Sequence, residues 1–406
     1  MSSQVEIIVA GHICLDIIPT IHEKKSGLDA LLIPGKLVDI GPAVIATGGA
    51  VSNTGIALHR LGNRVSLKGK IGSDQFGEAI LSILRAQAAS LGDGMIVAQG
   101  EISSYTIVIS PPHIDRIFLH ATGANDTYSA DDLKVEELRG ARLFHFGYPP
   151  LMRSMYVNEG AELAHLLRKV KEAGLTVSLD MAKPDPESPA GQADWLAILT
   201  KALTYVDVFM PSFEEILFML RRGLFEEMLC EEPSGNLLRW ASGELLAELS
   251  GQLLRMGAAV VGIKLGEYGL YLRSTPDSER LLRMGACLPE AGLLDQWLGC
   301  ELLTSCYEVE VVGTTGAGDC TIAGFLSGLV RGMTPGDALQ AAVAVGACNV
   351  ERADATGGIP PWDHVLARIA QGWAKRDSEL SLEGWQQRCD GIWTGPHHHQ
   401  HLAKDV

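Results

Sequence analysis

The sequence predicts an α/β protein: a mainly parallel sheet covered by helices on both faces, with a small β-sheet standing off the main body. Three observations predict it. From residue 140 onward, short apolar or β-branched runs alternate with helical segments, as repeated β-α units do. Residues 103–120 hold two strand-like runs around a turn, a hairpin pattern. A glycine-rich turn, Gly313–Asp319, joins an apolar run to a helix-like segment, and open α/β sheets bind ligands at such strand ends.

Along the chain, Val5–Ala10 reads as a buried strand closed by Gly11, with Asp16 soon after. Residues 20–47 mix Gly, Pro and short apolar stretches, as irregular strands and turns would. Asn53–Leu61 has helical spacing and stops at Gly62. Arg64–Ile71 reads as a strand, and Gly72–Gly77 turns into a helix through Ala88. The hairpin runs are Tyr105–Ile109 and Arg116–His120 around the turn Pro111–Asp115. Later strands are predicted at Leu143–Phe146, Thr176–Leu179, Val206–Met210, Ala259–Lys264 and Leu270–Arg273, with helices at Asn158–Ala173, Asp194–Ala202 and Gly243–Met256. Tyr307–Val312 reads as a further strand and Thr321–Val330 as a helix. The main domain is placed at residues 1–375, with the small sheet drawn from 12–47 and 100–125. Insertions fall near 221–240 and 275–304, and residues 376–406 form a C-terminal extension. Its tail holds His397–His399 and His401, a cluster able to bind a soft divalent metal but expected to be disordered at the end of a polar tail.

A chain of 406 residues, 47% of them hydrophobic, can bury a large core. Its net charge of −16 and lack of a basic block argue against a nucleic-acid partner. Eight scattered cysteines, none in a C-x-x-C pair, indicate reduced thiols in a cytosolic protein. Cys287, Cys300 and Cys306 complete no zinc pattern. No apolar run reaches membrane-spanning length, and the first residues read as the approach to a strand rather than a signal peptide. There is no G-x-x-x-x-G-K-[ST] loop, and Gly316-x-Gly318 lacks the third glycine of a dinucleotide fingerprint.

The turn Gly313-Thr314-Thr315-Gly316-Ala317-Gly318-Asp319 carries the chemistry. Backbone N–H groups opening a helix are unpaired and bind anions, and glycines let a phosphate reach the main chain. A carboxylate beside an anion site repels it unless it has a task, and the natural task for Asp319 is taking a proton from an attacking hydroxyl. Upstream, Gly48 and Gly49 bring backbone close to a polyhydroxylated ligand, and Asn53 offers both donor and acceptor.

These two stretches resemble the signatures of the ribokinase-like sugar kinases, the PfkB carbohydrate kinase family. The resemblance covers residues 5–370. It implies a three-layer α/β/α ribokinase-like fold with a small β lid over a sugar site, and ATP-dependent phosphorylation of a sugar or related alcohol. It implies that Asp319 is the general base, with the amides of Gly316, Ala317 and Gly318 stabilising the transferring phosphoryl group. It places Asp16, Gly48, Gly49 and Asn53 on the sugar, Lys264, Gly266, Thr314 and Asn349 at the nucleotide, and Glu215 near a hydrated Mg²⁺. Two positions depart from the family pattern. Ser212 stands where the N-x-x-E motif has asparagine, and it also reads as a helix cap with Glu215 at N3. Gly313 replaces an acidic residue that in several members helps bind a monovalent cation, which argues against such activation. A nucleoside kinase of the same family stays open, with Tyr105, Phe118 and Tyr148 as a platform for a base, as does a non-catalytic ligand-binding protein on this fold. Exposed sheet edges in a lid allow a homodimer.

Overall fold

In the computed structural model, which describes residues 5–21, 33–110, 117–232 and 235–399, the strand–helix alternation resolves into two sheets. In chain order the strands are β1 (Ile7–Gly11), β2 (Cys14–Pro19), β3 (Ala43–Gly48), β4 (Val65–Gly72), β5 (Ile96–Ala98), β6 (Tyr105–Ile109), β7 (Ile117–Ala121) and β8 (Leu143–Gly147). They continue with β9 (Thr176–Leu179), β10 (Val208–Phe209), β11 (Val260–Lys264), β12 (Leu270–Ser274), β13 (Glu301–Thr304), β14 (Gln386–Gln387) and β15 (Ile392–Thr394). The main sheet has eleven strands in the order β14-β15-β13-β12-β11-β10-β9-β8-β1-β4-β5. It is parallel from β5 across to β11 and antiparallel beyond. The second sheet runs β3-β2-β6-β7.

Strands β1, β8 and β9 are buried throughout, because a parallel sheet carries helices on both faces. Ile7 and Val9 belong to one core and Ile8 and Ala10 to the other, the period-two alternation of a strand splitting its side chains between two layers. The first core includes apolar side chains of helices α1 (Ala50–Arg60) and α2 (Gln75–Gln87). The second includes those of α3 (Ala161–Glu172), α4 (Trp195–Ala202), α5 (Phe213–Leu220) and α6 (Gly243–Arg255). Two further helices complete the first layer, α7 (Ala317–Val330) and α8 (Pro335–Val350), both lined with small residues that let them pack closely. The small sheet is less completely covered: Val44, Ile45, Phe118 and Leu119 are all more than half exposed.

Several sequence expectations change. Tyr307–Val312 is not a strand of either sheet: Tyr307 makes a single bridge to Lys375, and the Val312 amide donates to Val350 O at 2.8 Å. Val311 and Val312 stay exposed while Tyr307 is buried in the first core, so only the end of this apolar run lies outside the core. Asn158 and Glu159 have positive φ, so the regular part of α3 starts at Ala161. The last four residues of the expected 275–304 insertion form β13 of the main sheet. The tail is ordered through His399 because buried Glu301 requires donors: Tyr271 OH at 2.8 Å and the His397 amide at 2.7 Å supply them. Gln400, His401 and the hairpin turn Pro111–Asp115 lie outside the described residues.

Candidate active site

Helix α7 opens at the glycine-rich turn. Gly316 takes left-handed backbone (φ 73°), and a Cβ there would meet Ala355 O at 2.6 Å, so glycine is required on both counts. Asp319 follows in the first helical turn and is 3% exposed. Its carboxylate accepts hydrogen bonds from Asn53 Nδ2 at 2.9 Å, Thr54 Oγ1 at 3.3 Å and Tyr148 OH, which lies 2.9 Å from each oxygen. Asn53 and Thr54 come from α1. Tyr148 follows β8 with a positive φ of 64°, a conformation costly for a bulky residue. Burial pushes the Asp319 carboxyl above its ordinary range, while the Asn53 bond and the Lys264 charge oppose that push. The result is a carboxylate of increased basicity held in one orientation.

Behind it lies a second charged group. Lys264, ending β11, donates to Asp180, just past β9, at 2.6 Å. Burial alone would lower the Lys264 ammonium, but Asp180, Glu215 and Asp319 together raise it. Burial raises Asp180 against the opposing Lys264 charge, and Glu215 is raised in the same way. Glu215 sits at the start of α5 in a capping box with Ser212, whose amide donates to it at 2.6 Å. Three carboxylates share one ammonium, burial holds each of them above the ordinary carboxylate range, and Asp180 Oδ2 is buried without a hydrogen-bond partner. Oxygen ligands of this kind fit a hard cation such as Mg²⁺.

The turn stands between two cavities. One, of about 760 Å³, is lined by Asp16, Asn53, Thr106, Tyr148, Gly316 and Asp319. Gly48 is needed beside it because a Cβ would come within 2.2 Å of the Asp16 carboxylate. Gly49 (φ 86°) would likewise strike the His12 ring at 2.5 Å. The other, of about 570 Å³, has Ala317, Gly318, Lys264 and Gly266 on one side and an apolar wall including Val309, Val343 and Ala347. A Cβ on Gly318 would stand 3.8 Å from Lys264 Nζ, so the missing side chain leaves room beside the ammonium. Thr314 lines both cavities.

Asn349 does not line the second cavity. Its Nδ2 donates to Ala355 O at 2.6 Å, so it supports the loop against which Gly316 packs, while Ala347 and Val350 form the wall. Gly313 has a packing reason as well: a Cβ would lie 3.0–3.1 Å from Ala353 and Arg352 backbone. The contacts of Tyr148 and Thr54 with Asp319, and of Asp180 with Lys264, are not marked by any motif in the sequence. The left-handed backbone of Tyr148 leaves no trace in residue type.

A family model described as pfkB family carbohydrate kinase matches residues 6–362. Among curated proteins, the chain is 30% identical over 220 residues to probable fructokinase-4 of Arabidopsis thaliana, covering 52% of this chain and 61% of that protein. It is 26% identical over 337 residues to the 2-dehydro-3-deoxygluconokinase of Bacillus subtilis, covering 80% and 87%. An uncharacterized sugar kinase of Archaeoglobus fulgidus is 25% identical over 305 residues, covering 75% and 98%. The chain thus spans less than two thirds of the fructokinase but nearly all of the archaeal protein. Solved structures share the fold: Arabidopsis thaliana ribokinase complexed with ribose and ATP superposes with TM-score 0.63 at 19% identity, over 90% of this chain and 98% of that one. Ribokinase from Giardia lamblia gives 0.65 at 18%, over 91% and 99%.

Proposed function

The chain belongs to the pfkB family of carbohydrate kinases, and we propose that it transfers the γ-phosphoryl group of Mg-ATP to a hydroxyl of a sugar or sugar-like alcohol. The observation that carries this reading is the position of one helix start between two cavities. Asp319 and Gly316 line the polar one, Ala317 and Gly318 the apolar one.

In this reading the sugar sits in the polar cavity on Asp16 and Asn53, with one hydroxyl at Asp319. That carboxylate takes the hydroxyl proton as the oxygen attacks phosphorus. Tyr148, Asn53 and Thr54 hold the carboxylate in place. The amides of Gly316, Ala317 and Gly318 and the Lys264 ammonium stabilise charge on the transferring group, where most catalysis of phosphoryl transfer lies. The adenine packs on the apolar wall at Val343 and Ala347, with Gly266 and Thr314 at the edge. Glu215 and Asp180 would hold a hydrated Mg²⁺, which supplies charge neutralisation to the phosphates.

Of the three aromatics that could meet a base, Phe118 and Tyr148 line the polar cavity and Tyr105 does not, so the substrate panel includes nucleosides. Tyr105 packs against Phe76 with ring centroids 5.4 Å apart, and the Tyr148 hydroxyl is engaged on Asp319. The close packing at Gly313 and the capping role of Ser212 give both departures from the family pattern a structural reason. Exposed Ile45 and Leu119, on the face of the small sheet away from the polar cavity, support a homodimer formed through that sheet, which solution mass measurement tests. The activity test is ADP release from Mg-ATP across pentoses, hexoses, sugar acids and nucleosides. Sugar-dependent ADP is expected. Turnover on nucleosides alone replaces the substrate class, and no turnover on any of them despite ATP binding overturns the kinase reading.

A further inference from the structure

On the polar cavity wall, three residues that the phosphoryl-transfer reading does not use come together: His12, Cys14 and His120. Their ligand atoms lie within 4.8 Å of one another. His12 comes from the turn between β1 and β2, Cys14 opens β2, and His120 lies in β7 of the small sheet. The register places them side by side: Asp16 of β2 pairs with Thr106 of β6, and Thr106 pairs with His120.

The distances suit coordination. His12 Nε2 and His120 Nε2 face each other at 3.2 Å. Two nitrogens bound at about 2.0–2.1 Å to one tetrahedral ion stand about 3.3 Å apart. His120 Nδ1 is bonded to Thr106 Oγ1 at 3.0 Å, the outer hydrogen bond that fixes a ligating ring and leaves Nε2 for the metal. Cys14 Sγ lies 3.3 Å from Asp16 Oδ1 and accepts from Thr106 Oγ1 at 3.5 Å. The second ring nitrogen of His12, Nδ1, is buried and has no hydrogen-bond partner. Without an ion, one Nε2 must donate to the other, and that fixes both tautomers around a single hydrogen bond.

We propose that His12, His120 and Cys14 form a binding site for a thiophilic divalent cation of the zinc type, with the fourth position open to the polar cavity. Imidazole and thiolate donors select such ions over Mg²⁺ or Ca²⁺. Binding releases the Cys14 thiol proton to solvent, since the thiolate is the ligand. The bound ion would stand on the wall of the polar cavity beside Asp16, so it competes with sugar but not with ATP. This consequence rests on the sugar assignment of that cavity, whereas the binding itself does not.

The test uses the whole protein, with Zn²⁺ titrated against a chromophoric chelator and Co²⁺ as spectroscopic probe. Wild type is expected to bind one ion per chain with a thiolate-to-cobalt charge-transfer band. Cys14→Ser should abolish the band. His120→Ala, on a half-buried position of the small sheet, should weaken binding at least about 100-fold, more than loss of an outer-shell partner costs. A His397→Ala, His398→Ala, His399→Ala variant should keep the band, which separates this site from the tail. No band in wild type, or unchanged affinity in a folded His120→Ala protein, overturns the proposal. A band with no competition against sugar upholds the metal site and overturns the sugar assignment of the cavity.

Discussion

The two cavities on either side of the α7 start are built by different means. The polar one draws walls from both sheets, with Asp16 and Thr106 from the small sheet and Asn53, Tyr148 and Asp319 from the main body. The apolar one is lined by the main body and its C-terminal continuation, with Val343 and Ala347 from α8 and Arg376 at its edge. A wall of buried polar groups discriminates strongly, because a ligand lacking one hydroxyl leaves a partner unpaired. A wall of valines and alanines discriminates weakly, at about 1–3 kcal/mol per methylene. With the sugar in the polar cavity, as proposed, substrate selection would reside there, and one of its walls belongs to the sheet with the less complete cover.

Substitutions can break or sharpen this contrast. The largest effect is expected for Asp319→Asn: kcat falls by about 10²–10⁴, the usual contribution of a general base, while ATP binding measured by titration persists. Loss of ATP affinity on the same scale would mean that Asp319 serves both cavities alike. Next comes Asp16→Ala. Hydrogen bonds to a charged group are worth about 1.5–3 kcal/mol, so KM for sugar should rise by roughly 10–150-fold with KM for ATP unchanged. An equal rise in both would dissolve the distinction between the cavities.

Tyr148→Phe gives a smaller loss, roughly tenfold in kcat for one hydrogen bond to a charged group, and its diagnostic is the pH profile. As the proposed base, Asp319 must be ionised, so activity should fall as pH drops through its burial-raised pKa. The Tyr148 hydroxyl is among the groups that hold that pKa down. Its removal should move the acidic limb to higher pH, and an unmoved limb would reassign Tyr148 to packing. Smallest is Val343→Ala in the apolar wall. At about 0.8 kcal/mol per methylene, and with one of the two removed methyl groups meeting the adenine, KM for ATP should rise about fourfold, with KM for sugar constant.

Much of this was legible beforehand. Thr176–Leu179 matched its strand, and Gly316 and Asp319 open the helix from the positions their residue types indicated. The run Tyr307–Val312 misled because β-branched residues also wall a cavity: Val309 and Val311 line the apolar one rather than pairing in a sheet. Asn349 misled because neighbours on a helix face different directions; Ala347 and Val350 reach the cavity while Asn349 turns to Ala355. The histidine-rich tail misled because its composition is polar, whereas its order comes from the buried carboxylate of Glu301.

By itself the sequence determined what contiguous residues encode: the strand and helix periods, the glycine-rich turn, the carboxylate one turn into α7, and the family. These depend on backbone sterics and local pattern, which act over a few residues. Only the tertiary structure decided which side chains meet. Tyr148 reaches Asp319 across 171 positions, Lys264 reaches Asp180 across 84, and His12 faces His120 across 108. Each pairing follows from strand order and from the register between the two sheets. Those are set by how the whole chain buries its apolar faces, and no local stretch records them.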